Sequence, residues 1–312
     1  PVWNANGGYI LLWRAAARRP TWNHALDHAI NLAQEHQKPL VVIECLALQH
    51  KWANDRISTF VLQGMIDNRS AFQGTYVTYI PYVETKRKEA SGLLKGWLKN
   101  AMACVIDDFP TYYPLHVLNT ALSIRPCEIH AVDSNGFMAM RAQGRDFKTA
   151  HSLRRHLHKT ITEHMHEFPH ASPLERAVGL PMIPKEAVKT IFTETNTPMT
   201  PYEFLWRVGE GGDIGRGALS SLAIDHDVAP VLSKKGGHAE AKRRWRTFAR
   251  RGLSAYHEAR NHPEQEGASG MSPWLHFGHI SVHQILHELF AEHKWDVTMV
   301  NPPHNGRREG WW

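Results

Sequence analysis

Five apolar runs, separated by amphipathic stretches, lie between residues 9 and 132 of this 312-residue chain. They are residues 9–13, 40–46, 76–80, 103–107 and 127–132. The stretches between them place apolar residues on one helical face, as Leu93, Trp97 and Leu98 do. Strands that alternate with helices favour parallel pairing, because the chain must cross back between parallel strands. The order therefore predicts an α/β fold with a doubly wound parallel sheet covered by helices on both faces.

Two adjacent aspartates, Asp107 and Asp108, follow the fourth predicted strand. Ligands of such folds bind beyond the carboxyl ends of the strands, so a metal site or an acid–base pair is one interpretation. Adjacent aspartates more often cap a turn, and we prefer that interpretation. No Gly-x-Gly-x-x-Gly sequence follows the first strand, so the usual dinucleotide-binding fingerprint is absent.

The chain carries three cysteines, Cys45, Cys104 and Cys127, each within or beside an apolar run. Their odd number and wide spacing favour buried free thiols in a reducing compartment, so we expect a cytoplasmic protein. No apolar run approaches the roughly 18 residues that a membrane-spanning helix needs, which predicts no membrane association. The net charge of +6 indicates an anionic partner without identifying it.

A histidine-rich helical stretch and a series of prolines after it predict a connector beyond the α/β part. The histidines are His151, His156, His158, His164, His166 and His170. Their His-x-His spacing places the rings on different helix faces, so we expect no metal site. The glycine-rich segment at residues 209–217 lacks the Gly-Lys-Ser/Thr ending of phosphate loops, and we interpret it as a flexible loop.

A basic stretch, residues 234–260, holds nine Lys/Arg against two acidic residues. Its periodicity places Trp245, Phe248 and Tyr256 on one face, which predicts one continuous helix with Arg260 a turn beyond Tyr256. Two interpretations of the charge remain open. The stretch is either a solvated helix face or a surface that contacts nucleic-acid phosphates.

Residues 256–281 combine an aromatic residue, an Arg-Asn-x-Pro turn, a loop of small residues and the sequence Ser-Pro-Trp-Leu-His-Phe-Gly. The loop, residues 268–272, reads Ala-Ser-Gly-Met-Ser. Small residues let a backbone come close to a ligand, and hydroxyls with free N–H groups suit phosphate. The segment therefore predicts a phosphate-binding loop.

This segment resembles the DNA photolyase/cryptochrome family. The matching residues are Gly236-Gly237, Tyr256, Arg260-Asn261, Pro263, Ser269, Met271-Ser272-Pro273, Leu275-His276-Phe277-Gly278 and Ser281. Short sequence motifs nearer the start of the chain are most similar to those of class II cyclobutane pyrimidine dimer photolyases and their bacterial relatives. Examples are Trp22-Asn23, Lys38-Pro39-Leu40 and Asp55-Arg56. The resemblance covers nearly the whole chain.

The resemblance implies three parts along the chain. Residues 1–135 would form an antenna-type α/β domain, residues 136–204 an interdomain connector, and residues 205–312 the first part of an all-helical FAD-binding domain. In the family, the Arg-Glu-Gly-Trp-Trp sequence found at residues 308–312 is followed by a further helical half with the catalytic carboxylate and the electron-relay aromatics. We therefore expect a C-terminally truncated sequence and assign no catalytic residue.

The resemblance also implies site residues and cofactors. The predicted FAD contacts are Tyr256, near the phosphate–ribitol portion, and Ser269, Gly270, Met271 and Ser272, around the pyrophosphate and ribitol. Arg260 would face the DNA phosphate beside a flipped-out dimer. The family resemblance leaves room for a second, antenna chromophore in the α/β domain, for which the sequence shows no specific motif.

The implied activity is that of a deoxyribodipyrimidine photo-lyase, a carbon–carbon lyase. Such an enzyme uses light and reduced FAD to split cyclobutane pyrimidine dimers, and we expect a monomer that binds DNA containing them. Two alternatives remain: a cryptochrome-like flavin photoreceptor that signals without repair, and a non-catalytic nucleic-acid-binding remnant without a working flavin site. The basic stretch favours repair over signalling.

Overall fold

The computed structural model describes residues 3–48, 50–142, 144–198, 214 and 219–300. Its first part is a five-stranded, wholly parallel sheet with the strand order β3-β2-β1-β4-β5. The strands are β1 (Tyr9–Arg14), β2 (Leu40–Leu46), β3 (Val77–Val83), β4 (Ala101–Asp107) and β5 (Glu128–Val132). The predicted α/β sheet is confirmed, with all five strands at the expected places.

Helices connect the strands and make up most of the later chain. In the sheet region they are α1 (His24–His36), α2 (Asp55–Phe72), α3 (Leu93–Asn100) and α4 (Tyr112–Ile124). Those that follow among the described residues are α5 (Ala150–Thr160), α6 (Lys185–Glu194), α7 (His238–Arg251), α8 (Tyr256–Ala259), α9 (Ser272–His276) and α10 (Val282–His293). No helix within the described ranges is both long enough and apolar enough to cross a bilayer.

The sheet separates two apolar cores, one on each face. Because side chains alternate along a strand, Leu11 and Trp13 of β1 belong to one core, and Ile10 and Leu12 to the other. All four are almost completely buried. This double burial explains the continuous apolar runs in the sequence. The three cysteines are buried and free, as expected.

The structure departs most from the prediction at the end of β3 and in the helix through Tyr256. β3 continues beyond Ile80 through Pro81 to Val83, because β3 is an edge strand, where proline is tolerated. The predicted continuous helix through Tyr256 is broken: α7 ends at Arg251 and α8 begins at Tyr256. At the break, the N–H groups of Gly252 and Leu253 both donate to the Phe248 carbonyl, at 2.8 and 3.0 Å, as at a helix C-terminus.

Some predicted features lie outside the described residues. Of the glycine-rich segment 209–217, only Ile214 is described, and its side chain is buried in an apolar cluster beside α2. The Arg-Glu-Gly-Trp-Trp sequence at residues 308–312 is also outside the described residues. Within the described ranges, no group of three or more His, Cys, Asp or Glu side chains is arranged to hold a metal ion.

Asp107 holds the turn that leaves β1. One carboxylate oxygen of Asp107 accepts hydrogen bonds from the backbone N–H groups of Ala15, Ala16 and Ala17, at 2.8, 2.7 and 3.1 Å. Asp108 instead pairs with Arg141 at 3.1 Å. The preferred interpretation of the aspartates as turn-capping residues is confirmed for Asp107.

We expect Asp107→Ala to lower the free energy of unfolding by about 3 kcal/mol, because three buried N–H groups would lose a charged acceptor. The adjacent Asp108→Ala is the matched control. Its partner Arg141 is 81% exposed, so the change should cost less than Asp107→Ala. Urea denaturation of both variants measures the difference, and equal losses would contradict the proposed role of Asp107.

Candidate functional site

The small-residue loop lies against two helices. Gly267 directly precedes the loop. A Cβ added there would be 2.3 Å from the Ala259 Cβ of α8, so only glycine fits that contact. Gly270 has a φ of +66°, which favours glycine, and a Cβ there would be 2.6 Å from Nη2 of Arg244 on α7. The Arg244 Nε donates a hydrogen bond to the Ser269 carbonyl at 3.2 Å. The loop therefore rests on α7 with a guanidinium directly behind it.

The four predicted residues of the loop differ in what they can offer a ligand. Met271 is 2% exposed and packs in an apolar cluster with Phe60, Trp245 and Trp274, so its side chain belongs to the core. The hydroxyl-bearing Ser269 is half-buried, and Ser272, the first residue of α9, is exposed. A ligand at this loop would thus meet backbone groups and two serine hydroxyls, but not the methionine side chain.

Tyr256 and Arg260 are brought together on and just after α8. The Arg260 guanidinium carbon lies 5.4 Å from the centroid of the Tyr256 ring, a cation–π contact. The other partner of the ring is Phe248, at 5.5 Å and nearly perpendicular. Tyr256 is half-buried, whereas Arg260 is exposed. The aromatic ring thus joins α8 to α7 while the charged group remains accessible.

The outward face of α7 is strongly basic. Seven residues of this helix line an open groove of about 620 Å³: Ala239, Lys242, Arg243, Arg246, Thr247, Arg250 and Arg251. The opposite face, with Ala241 and Trp245, is buried. Five of the nine basic residues of the 234–260 stretch therefore share one exposed face.

Arg19 was not among the predicted site residues. Its side chain connects residues 256–281, the segment that resembles the photolyase/cryptochrome family, to the carboxyl edge of the sheet. Its guanidinium donates to the backbone carbonyls of Trp22 and Ser134, both at 3.1 Å, and of Gly278, at 3.3 Å. Burial lowers the pKa of Arg19 to about 10, which leaves the side chain charged at neutral pH. The sequence carries a signal for this role, because Arg18 and Arg19 lie just beyond an apolar strand. Arginines close to a buried strand need hydrogen-bond partners, since charged side chains are rarely buried without them.

Gly278 makes the closest approach at this junction. Its φ is +67°, and an added Cβ would be 1.9 Å from the Ala16 carbonyl oxygen. Ala16 belongs to the turn that Asp107 holds. The end of the Ser-Pro-Trp-Leu-His-Phe-Gly sequence is thus in direct backbone contact with the sheet edge.

Two buried histidines were also missed. Nδ1 of His279 accepts a hydrogen bond from the Gly237 N–H at 3.0 Å, and Nδ1 of His238 donates to the His279 carbonyl at 2.9 Å. Burial lowers the pKa of His279 to about 3 and that of His238 to about 4, so both rings are neutral at pH 7. They join the Gly236-Gly237 corner, which begins α7, to the family segment.

The cavity at the sheet edge gives no support to a second chromophore. It is lined from both sides of the junction, by Arg19 and Asp107 among others, and has a volume of about 110 Å³. Pockets for small-molecule ligands usually have about 300 to 1,000 Å³. As described, this cavity is too small for an antenna pigment.

Comparisons with known proteins agree with the geometry. No protein-family model matches the chain. Three curated relatives are each called deoxyribodipyrimidine photo-lyase. The protein from Methanothermobacter thermautotrophicus is 25% identical over 276 residues, that from Arabidopsis thaliana 24% over 288, and that from Potorous tridactylus 23% over 298. The matches cover 88%, 88% and 90% of this chain, but only 54%, 51% and 48% of the relatives.

A solved structure has the same fold. A class III photolyase from Agrobacterium tumefaciens matches 92% of this chain and 54% of its own, with a TM-score of 0.56 and 16% sequence identity. These matches show that the chain is similar to photolyases, and they support its resemblance to the photolyase/cryptochrome family. The chain spans about half the length of the photolyases that it matches. None of the three curated names specifies a class, so the predicted similarity to class II photolyases stays a prediction.

We expect Gly278→Ala to destabilise the protein far more than Gly179→Ala. Both glycines have positive φ, +67° and +86°, so both changes carry the backbone penalty of about 1 to 2 kcal/mol. Only Gly278 adds a collision with a backbone oxygen, whereas nothing lies within 4 Å of a Cβ at Gly179. Thermal denaturation of the two variants tests the contact, and equal shifts in Tm would contradict it.

The buried histidines predict acid sensitivity. Because their folded pKa values lie below the ordinary 6.5, the unfolded chain takes up protons first as the pH falls below about 6.5. Each ring should then lower the free energy of unfolding by about 1.4 kcal/mol per pH unit, down to its folded pKa. Above pH 6.5 neither contributes to pH dependence.

Urea denaturation at pH 7.0 and pH 5.5 measures this slope. His279→Gln should reduce the slope, because a non-titrating acceptor replaces the ring. His276→Gln, a change at an exposed histidine three residues away, should leave the slope unchanged. A His279→Gln variant with the slope of the unchanged protein would contradict the prediction.

Proposed function

We propose that this protein is a deoxyribodipyrimidine photo-lyase that repairs cyclobutane pyrimidine dimers in DNA with light and reduced FAD. The observation that carries the proposal is the loop 268–272, which rests on Arg244 within the segment 256–281 that resembles the family. The names of the three curated relatives support the same reaction class.

The residues around the loop fit the anionic part of FAD. A pyrophosphate needs close backbone approach, hydroxyl groups and a nearby positive charge, and Gly270, Ser269, Ser272 and Arg244 offer these. We infer that the loop binds the pyrophosphate and ribitol, and that Tyr256 contacts the adjoining phosphate–ribitol portion. When bound and reduced, the flavin supplies the light-excited electron for splitting the dimer.

Arg260 is the proposed contact to damaged DNA. The Tyr256 ring holds its guanidinium beside the cofactor segment, and the exposed group can pair with a phosphate through two parallel hydrogen bonds. A phosphate contact at this position would steady the backbone next to a dimer that has left the base stack, as base-flipping enzymes require.

The wider organisation is proposed from the same resemblance. We take residues 1–135 as the antenna-type domain, 136–204 as the connector and 205–312 as the first part of the FAD-binding domain. The protein would act as a monomer in the cytoplasm on DNA that contains pyrimidine dimers. A cryptochrome-like photoreceptor is the second candidate, and the exposed basic face of α7 favours repair, since a DNA-binding enzyme needs cationic surface.

Binding of FAD tests the loop. We expect Gly270→Val to weaken FAD binding by about tenfold or more, because a branched side chain disfavours positive φ and would displace the Arg244 guanidinium from the loop. Gly179→Val is the matched control, since Gly179 has similar φ but open surroundings. Titration of the chain with FAD, followed by flavin fluorescence, gives both affinities, and equal affinities would contradict the assignment.

Light-dependent splitting of a dimer-containing duplex tests the reaction. With reduced FAD bound, Arg260→Gln should weaken binding of damaged DNA by about tenfold without changing the flavin absorption spectrum. Arg87→Gln, at an exposed arginine of the α/β part, should have no effect. In the full-length protein, flavin binding without any splitting would support the photoreceptor. A chain that binds no flavin would support the non-catalytic remnant.

A further inference from the structure

The basic face of α7 consists of residues that the proposed flavin and dimer contacts do not use. Its charged members are Lys242, Arg243, Arg246, Arg250 and Arg251, and no acidic residue lines the groove between them. Arg243 is paired with Glu240 on the same helix, and Arg246 with Glu288 on α10 at 3.4 Å. Lys242, Arg250 and Arg251 have no carboxylate partner within the described ranges.

This arrangement opposes the stability of the helix. Lys242, Arg246 and Arg250 follow one another at intervals of four residues, so like charges lie on successive turns of one face. Such pairs repel each other, although the pairing of Arg246 with Glu288 offsets part of the repulsion. The buried face of α7, with Ala241 and Trp245, holds the helix in place against the rest. A face needed only for solubility would be served equally well by mixed charges.

The spacing of the charges suits a regular polyanion. Four helical residues rise about 6 Å, so Lys242 and Arg250 lie about 12 Å apart along the axis. One strand of a DNA duplex presents a phosphate about every 3.4 Å of its axis, so the face can span about three to four phosphates. Because every lining residue belongs to α7, the groove is open to solvent and does not enclose a small anion.

We propose that the outer face of α7 binds the phosphate backbone of duplex DNA, independently of base sequence and of damage, through Lys242, Arg250 and Arg251. The inference rests on the proposed function for its partner, and it adds a contact surface separate from Arg260. The surface would hold the protein on undamaged duplex, while Arg260 acts at the lesion. Flavin is not needed for this contact.

The test measures binding of the 312-residue chain to a fluorescein-labelled duplex of about 20 base pairs, between about 50 and 200 mM KCl. The triple variant Lys242→Gln/Arg250→Gln/Arg251→Gln should reduce the slope of log K against log salt by about 1 for each residue removed, about 3 in total. The loss should be the same for duplexes with and without a dimer. Arg260→Gln should instead affect the damaged duplex more.

A second triple variant, Lys95→Gln/Lys99→Gln/Lys185→Gln, removes the same charge from exposed positions on α3 and α6. Its slope of log K against log salt should equal that of the protein without substitutions. This result would show that the effect at α7 does not come from the change in net charge alone. Equal slopes for the two triple variants would overturn the inference. Binding of phosphatidylserine vesicles without binding of duplex would also overturn it, in favour of a lipid surface.

The two proposals fail separately. Loss of light-dependent repair, with the α7 effect on undamaged duplex retained, would contradict the proposed function alone. Repair that persists while the α7 substitutions leave the salt dependence unchanged would contradict this inference alone. Thermal denaturation of the variants checks that each one is folded.

Discussion

The hydrogen bonds from three consecutive backbone N–H groups to Asp107 organise the junction between the sheet and the later helices. They hold the turn after β1 in a shape that exposes the Ala16 carbonyl to Gly278. Arg19, two residues after that turn, donates a hydrogen bond to the Gly278 carbonyl. The position of the proposed cofactor segment thus depends on a carboxylate at the end of β4.

The position of α7 also depends on this junction. His279 follows Gly278 directly and accepts from Gly237, the residue that precedes the helix. Gly236 packs so closely on α2 that a Cβ there would be 1.9 Å from the Phe60 carbonyl oxygen. The helix is therefore fixed at its beginning by the sheet region, and Arg244 on it supports the loop 268–272. A continuous series of contacts leads from the sheet edge to the proposed phosphate-binding loop.

α7 has two separate roles in this scheme. Its buried face forms an apolar cluster with Met271 and Trp274, which explains why the methionine of the loop 268–272 is a core residue. Its outer face carries Lys242, Arg250 and Arg251, which have no carboxylate partner among the described residues. A helix can serve both purposes because residues three and four apart share a face, so packing and charge segregate along its length.

The sequence by itself determined the parallel sheet and the buried thiols, because burial on both faces makes continuous apolar strands. It also showed the resemblance to the photolyase/cryptochrome family, because short motifs can be recognised without knowledge of tertiary contacts. It also indicated Asp107 as a turn residue, though not the turn after β1 that Asp107 holds. Only the tertiary structure decided the break at Gly252, the support of the loop by Arg244 and the clamp by Arg19. Those depend on contacts such as Arg19 with Gly278, 259 residues apart, which no local pattern encodes.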